Sequence, residues 1–199
     1  MAKFYGNRIY RRMSKICLQM IVKNEAHIIE EGLQSCLGFI NYYQISDTGS
    51  SDNTIEVIKN FFDKNNVKGE IYQDAWKDFG HNRSILLKRG YKLKGIDYIF
   101  FFDADDLLHN EYGGKVPKVN FDGLYLTCLR HNSYFSRIHF FNTKVRWYFY
   151  SKIHEFPLCD KTNPVLGRVD DKIWLESRGK GDRSKDYKAT SLKDAKLCM

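Results

Sequence analysis

Asp97-Tyr98-Ile99-Phe100-Phe101-Phe102-Asp103-Ala104-Asp105-Asp106 decides the fold class of this chain. After its first residue it runs aromatic and β-branched, the composition of a strand buried on both faces, and then breaks into three carboxylates. An oily strand ending in acids is the mark of a parallel sheet, whose ligands gather outside the carboxyl ends of its strands.

The chain before this stretch repeats a strand-then-helix rhythm. Ile16-Cys17-Leu18-Gln19-Met20-Ile21-Val22 is a second nearly continuous apolar strand. Asn24 is placed to cap a following helix, in which Ile28, Ile29, Leu33 and Leu37 recur at helical spacing. Residues 42–46 suit another strand. The turn Asp47-Thr48-Gly49-Ser50-Ser51-Asp52 then leads into a helix carrying Ile55, Val57, Ile58, Phe61 and Phe62. A strand at 69–73 and a helix over 78–93 complete the series. Strands separated by helix-length segments pair in parallel through right-handed crossovers. The expected fold is therefore α/β: a Rossmann-like mixed, mostly parallel sheet with helices on both faces.

Beyond Glu111 the pattern changes. Residues 124–129, 134–141, 146–153 and 172–176 read as strands joined by polar turns, mixed or antiparallel additions to the sheet. The expected division is a basic N-terminal extension over 1–14, a main domain over 15–186, and the start of a C-terminal helix over 187–199. That helix stops abruptly, as in the front part of a longer polypeptide.

Composition narrows the function classes. The 199 residues are 43% hydrophobic and 15% aromatic, enough for a packed core and too much for a disordered chain. Three prolines and 14 glycines exclude a collagen-like or Pro-rich protein. No apolar run approaches the roughly 20 residues of a membrane helix. Arg8, Arg11 and Arg12 are followed by no signal-peptide apolar region, so a cytoplasmic protein is expected. Five cysteines, an odd number without a C-x-x-C pair, suit reduced thiols and argue against a zinc site. The net charge of +8 favours an anionic partner without choosing among nucleic acid, lipid and phosphorylated metabolites.

Three polar clusters fall at strand ends: Lys23-Asn24-Glu25, Asp47 to Asp52, and Asp103 to Asp106. Hard oxygen donors in that number suit Mg²⁺ or Mn²⁺, which take one or two carboxylates and borrow other ligands from substrate phosphates. If the chain stays extended past Phe102, Asp103 and Asp105 project to the same side. One then reaches a ribose or the metal while the other coordinates the metal; turn or cap aspartates are the plainer alternative. Asp47 is a functional candidate, whereas Ser50, Ser51 and Asp52 suit a helix start. Arg83 carries a fork of donors suited to a nucleobase or phosphate, or is a solvated surface arginine.

In order along the chain, Val22-Lys23-Asn24-Glu25, the stretch from Ser46 to Thr54, Asp78-Phe79 with Arg83, and Asp103-Ala104-Asp105 resemble the motifs of family 2 glycosyltransferases. The resemblance covers about residues 15–186. It implies the GT-A fold and an inverting, metal-dependent enzyme using nucleotide-sugar donors, with uridine diphosphate the commonest carrier. Gly80-His81-Asn82 and Ser84 depart from the family's habit, with consequences expected for base or sugar preference. By the same resemblance Asn24, Glu25 and Asp47 line a nucleotide pocket, Arg83 holds the base or phosphate, Asp103 faces the ribose or metal, and Asp105 holds the metal. Ile153-His154-Glu155-Phe156 resembles a His-Glu pair of one branch. There His154 ligates metal or contacts the diphosphate and Glu155 deprotonates the acceptor, with Asp106 a rival base. Arg178, Lys180, Arg183 and Lys185 correspond to a basic loop closing on the diphosphate. The expected partners are a nucleotide-sugar donor and a hydroxyl acceptor on a glycan, protein or lipid-linked molecule, not nucleic acid. A sugar-nucleotide binder without transfer activity and a basic nucleic-acid-binding module are the alternatives.

Overall fold

The computed structural model describes residues 12–111 and 113–181. The first half follows the strand–helix rhythm: β1 (Ile16–Val22), α1 (Ile29–Cys36), β2 (Tyr42–Asp47), α2 (Thr54–Lys64), β3 (Gly69–Gln73), α3 (Phe79–Gly90) and β4 (Tyr98–Phe101). The second half is all strand: β5 (Asp106–Asn110), β6 (Gly123–Arg130), β7 (Ser133–Asn142), β8 (Trp147–Tyr150), β9 (Phe156–Cys159), β10 (Leu166–Arg168) and β11 (Ile173–Ser177).

One sheet runs β3-β2-β1-β4-β7-β6-β11-β5, with β10 beside β6. Its first four strands are parallel, and β7 joins them antiparallel through β4. β6 lies antiparallel to β7 but parallel to β10 and β11. The sheet is thus mixed and mostly parallel, as expected. β8 and β9 form a separate hairpin.

Each face buries its own core. Leu18, Met20, Phe100 and Phe140 turn toward Ile29 and Leu33 of α1 and Ile58 and Phe62 of α2. Phe100 and Phe140 stack with ring centroids 4.6 Å apart. The alternate residues Ile99, Phe101 and Phe141 turn toward Leu86 and Leu87 of α3 and toward Trp147 and Phe149 of β8. Period-two alternation on central strands therefore seats helices on both faces, and the β8–β9 hairpin packs beside α3.

Several boundaries differ from expectation for local reasons. Asn24 does not cap α1: its φ is +56°, and its Oδ1 instead accepts from the Ser51 amide at 2.8 Å. The helix begins at Ile29 after a turn. The strand expected over 146–153 stops at Tyr150, because Ser151 adopts φ +78°. β5 and β10 carry too few apolar residues to announce themselves, and β9 is only four residues long with Pro157 inside it. Of the expected N-terminal extension, residues 1–11 lie outside the described residues; Ser14 is tied down, its amide donating to Val116 O. The expected C-terminal helix start also lies outside them. Among the described residues no helix is long and apolar enough to cross a membrane.

Candidate active site

The carboxyl ends of β1, β2 and β4 lie on one edge of the sheet because these strands are parallel, with Val22 in register with Asp47. The loops after β1 and β2 are laced together. Asn24 N donates to Ser50 Oγ at 2.9 Å, and Glu25 N to Thr54 Oγ1 at 2.9 Å. Asp47 Oδ1 accepts from the amides of Gly49 and Ser50, both at 3.0 Å, in a turn that Gly49 permits with φ +102°. Asp47 Oδ2 is buried without a hydrogen-bond partner. The structure thus brings Asn24, Glu25 and Asp47 together.

Past β4 the chain does not stay extended. Asp106 N donates to Asp103 O at 3.1 Å, closing a tight turn. Asp103 and Asp105 consequently find different partners rather than sharing a face by alternation. Gly32 of α1 makes room for this turn: a Cβ there would sit 3.0 Å from Ala104 O and 3.1 Å from Asp106 O.

Asp103 meets Arg83, whose Nη2 donates to Oδ1 at 2.6 Å. The Arg83 Nε lies 2.9 Å from Glu155 Oε1, an ion pair without the alignment of a hydrogen bond. The guanidinium also stacks on Phe101 and Phe149, 5.0 and 5.6 Å from the ring centroids. Burial opposes its charge, but Asp103 and Glu155 outweigh that and raise its pKa. Burial likewise opposes ionisation of Asp103, yet Arg83 and Arg137 hold its carboxyl below the usual range. Arg83 is therefore neither a solvated arginine nor an open fork: its Nε and Nη2 face two carboxylates. His154, next to Glu155, is exposed with φ +53°.

Asp105 is engaged from the far end of the chain. The amides of Lys180 and Gly181 donate to its Oδ2 at 2.7 and 3.0 Å. Arg178 Nε donates to its carbonyl at 2.9 Å, and Arg178 Nη1 donates to Glu31 of α1 at 2.6 Å. A Cβ on Gly181 would lie 3.0 Å from Glu25 Oε1, so this strap passes between Glu25 and Asp105. Arg178 and Lys180 of the expected basic loop thus sit over the acids; Arg183 and Lys185 lie outside the described residues. Neither the lacing of Asp105 by backbone amides nor the part played by Glu31 had a sequence signal. Asp106 is buried at the start of β5, where burial and its neighbours Asp103 and Asp105 push its pKa up to about 8.

Among the described residues no three His, Cys, Asp or Glu side chains converge in a metal-holding group, so Asp103, Asp105 and His154 do not form a ready-made ligand set. The donor chemistry nevertheless suits Mg²⁺ or Mn²⁺: the carboxylates of Asp103, Asp105 and Asp106 are hard oxygen donors, and burial with the charges of Asp103 and Asp105 raises the proton affinity of Asp106. Such ions need only one or two carboxylates when a phosphate supplies the rest.

Gly80, Asn82 and Ser84, which depart from the family habit, all make packing or hydrogen-bonding contacts. A Cβ on Gly80 would fall 2.2 Å from Ser151 O, and Ser84 Oγ accepts from Phe149 N at 2.9 Å. Asn82 binds the 75–77 loop through Lys77 N and Ala75 O. Gly80 and Ser84 thus dock α3 against the segment leading to Glu155, while Asn82 ties the helix to the loop before it. A cleft of about 500 Å³ opens there, between Asp78, Gly80 and His81 on one side and residues 149–153 on the other.

Residues 17–165 match the model of the family described as Glycosyl transferase family 2. Over 101 residues the chain is 33% identical to the SPbeta prophage-derived glycosyltransferase SunS of Bacillus subtilis (strain 168), covering 50% of this chain and 22% of that protein. The SunS of Bacillus phage SPbeta matches equally, so this chain spans 22% of the length of these curated relatives. Among solved structures, S. aureus TarS in complex with UDP aligns with a TM-score of 0.46 and 18% identity over 60% of this chain and 37% of that one. The mannosyltransferase PcManGT from Pyrobaculum calidifontis, in complex with GDP-Man and Mn²⁺, aligns with a TM-score of 0.41 and 16% identity over 49% and 29%. With the family model matched across most of its length, this chain belongs to glycosyl transferase family 2.

Proposed function

We propose that this chain moves a sugar from a nucleoside diphosphate donor, a uridine diphosphate sugar, to a hydroxyl on a glycan, protein or lipid-linked acceptor, with inversion and with a divalent metal. The observation that carries this reading is the meeting, at one sheet edge, of the acids after β4 with Arg83 of α3 and, through it, Glu155 of the second half.

In this reading Asn24, Glu25 and Asp47 receive the nucleoside, and the unpartnered Asp47 Oδ2 accepts one of its hydrogen bonds. Asp105, with help from Asp103, would hold Mg²⁺ or Mn²⁺, which would supply Lewis-acid stabilisation of negative charge on the diphosphate. Arg178, Lys180 and His154 add positive charge or hydrogen bonds around that leaving group. Glu155 takes the acceptor proton as the acceptor oxygen bonds to the anomeric carbon. The bond from that carbon to the diphosphate oxygen breaks, and its electron pair leaves with the diphosphate. Attack opposite the leaving group inverts the centre, through a sugar carrying developing positive charge. Asp106, buried at the start of β5, is the rival base.

The test is thermal unfolding with nucleotide sugars, with and without Mn²⁺. A donor at a hundred times its Kd stabilises the native state by about 2.7 kcal/mol. That stabilisation should need metal and vanish in Asp105→Ala. A shift indifferent to metal, or retained by the variant, refutes the metal role. Binding with no release of nucleoside diphosphate to any hydroxyl acceptor would instead identify a non-transferring binder.

A further inference from the structure

Arg83 joins the two halves of the site. It stands on α3, reaches Asp103 at the end of β4 on one side, and reaches Glu155 between β8 and β9 on the other. The hairpin that carries Glu155 shares no ladder with the main sheet. Its loop contains two left-handed residues, Ser151 and His154. Contacts with α3 hold the segment before Glu155, where Phe149 N donates to Ser84 Oγ and Phe79 N donates to Lys152 O, and the ion pair with Arg83 meets the Glu155 carboxylate itself.

We propose that Arg83 is a positioning residue that fixes the Glu155 carboxylate relative to Asp103, rather than a ligand of the donor's base or phosphates. The inference rests on the transfer reading above. Three features of the geometry support it. The Arg83 side chain is 7% exposed and that of Glu155 is 10% exposed, so the tie is shielded from water and from salt screening. Nε and Nη2, a pair of donors set for bidentate grip of a phosphate, are turned to carboxylates 2.9 and 2.6 Å away. Phe101 and Phe149 wall the guanidinium, and each ring comes from an element that leads to one of the two acids. A planar fork between two rings holds both partners in one geometry, which a flexible ammonium does not.

The experiment is a kinetic cycle on the intact chain with the donor found by thermal shift. Arg83→Lys keeps the charge but loses the fork. Its kcat should fall by about 10²-fold, the scale of an ångström's misplacement. Its donor Kd should stay within about threefold of wild type, since the residue acts on chemistry and not on donor binding. Because Arg83 acts through Glu155, adding Arg83→Lys to Glu155→Gln should cost nothing beyond Glu155→Gln alone. A donor Kd that rises as far as kcat falls would make Arg83 a nucleotide ligand and overturn the inference. Losses that multiply in the double variant would overturn it too. If Arg83→Lys fails to give a cooperative melt, Phe149→Leu removes one wall without stranding a charge, and the same two criteria apply to it. A wild-type chain that transfers from no donor it binds would sink the transfer reading and this inference together; wild-type turnover with multiplying losses sinks the inference alone.

Discussion

His139 should contribute a loss of stability as the solution is acidified from neutral pH toward 4. The imidazole sits on β7, 7% exposed, behind the strand that carries the acidic turn. Its Nδ1 donates to Phe101 O at 2.8 Å, and Nε2 is left facing the Cys128 thiol at 3.5 Å. Burial disfavours the imidazolium, and the Arg137 and Arg83 charges add to that. The Phe101 hydrogen bond and the Asp103 charge only partly compensate, so the pKa drops to about 4. In the unfolded chain it returns to about 6.5. Between those values the unfolded state takes up a proton that the folded state refuses. The contribution of His139 is therefore intact above pH 6.5 and is lost as pH falls toward 4. The loss is about 2 kcal/mol at pH 5 and levels off at about 3 kcal/mol below pH 4. Asp106, held at about 8, works in the opposite sense, so the comparison must be between proteins and not between pH values alone. Urea unfolding followed by tryptophan fluorescence, at pH 7 and pH 5, on wild type and His139→Asn, isolates the effect. The wild type should lose about 2 kcal/mol more than the variant over that interval. Parallel losses in the two proteins would refute the assignment of a buried, neutral imidazole.

Two further perturbations probe the docking of the second half. Gly80→Ala forces a Cβ to within 2.2 Å of Ser151 O, so α3 and the segment before Glu155 must part. Stability should drop by about 1–3 kcal/mol or more, read by thermal or urea unfolding, and an unchanged midpoint would contradict the close approach. Arg178→Ala removes the bonds to Asp105 O and Glu31 that pin the strap. Amide exchange at Lys180 and Gly181 should then quicken by about tenfold, the worth of one hydrogen bond, and unchanged protection would show that the strap is held by something else.

Much of the site was legible before the structure, and the failures have physical causes. Asp47, Asn24 and Glu25 could be grouped because each follows an apolar strand, and parallel strands put such ends on one edge. The relation between Asp103 and Asp105 could not be derived from alternation, because the Asp106–Asp103 hydrogen bond turns the chain where extension was assumed. Arg83 reads from the sequence as a donor fork for a nucleobase or phosphate, or as a solvated arginine; that its Nη2 meets Asp103 and its Nε meets Glu155 depends on the placement of β4 and on a separate hairpin. The departures at Gly80, Asn82 and Ser84 carry an expected influence on sugar or base preference, and their contacts could not be read locally: Gly80 and Ser84 pack α3 on residues 149–151, and Asn82 ties it to the 75–77 loop.

The sequence by itself determined the alternation of strands and helices, the burial of the central strands and the chemical character of each strand end. Those follow from short-range periodicity, which the chain carries within a dozen or so residues at a time. Only the tertiary structure decided who meets whom: Arg83 with both Asp103 and Glu155, and Asp105 with amides 75 residues further on. Such pairings depend on how a hairpin and a strap close back onto the sheet, and no local pattern of polar and apolar residues encodes that closure.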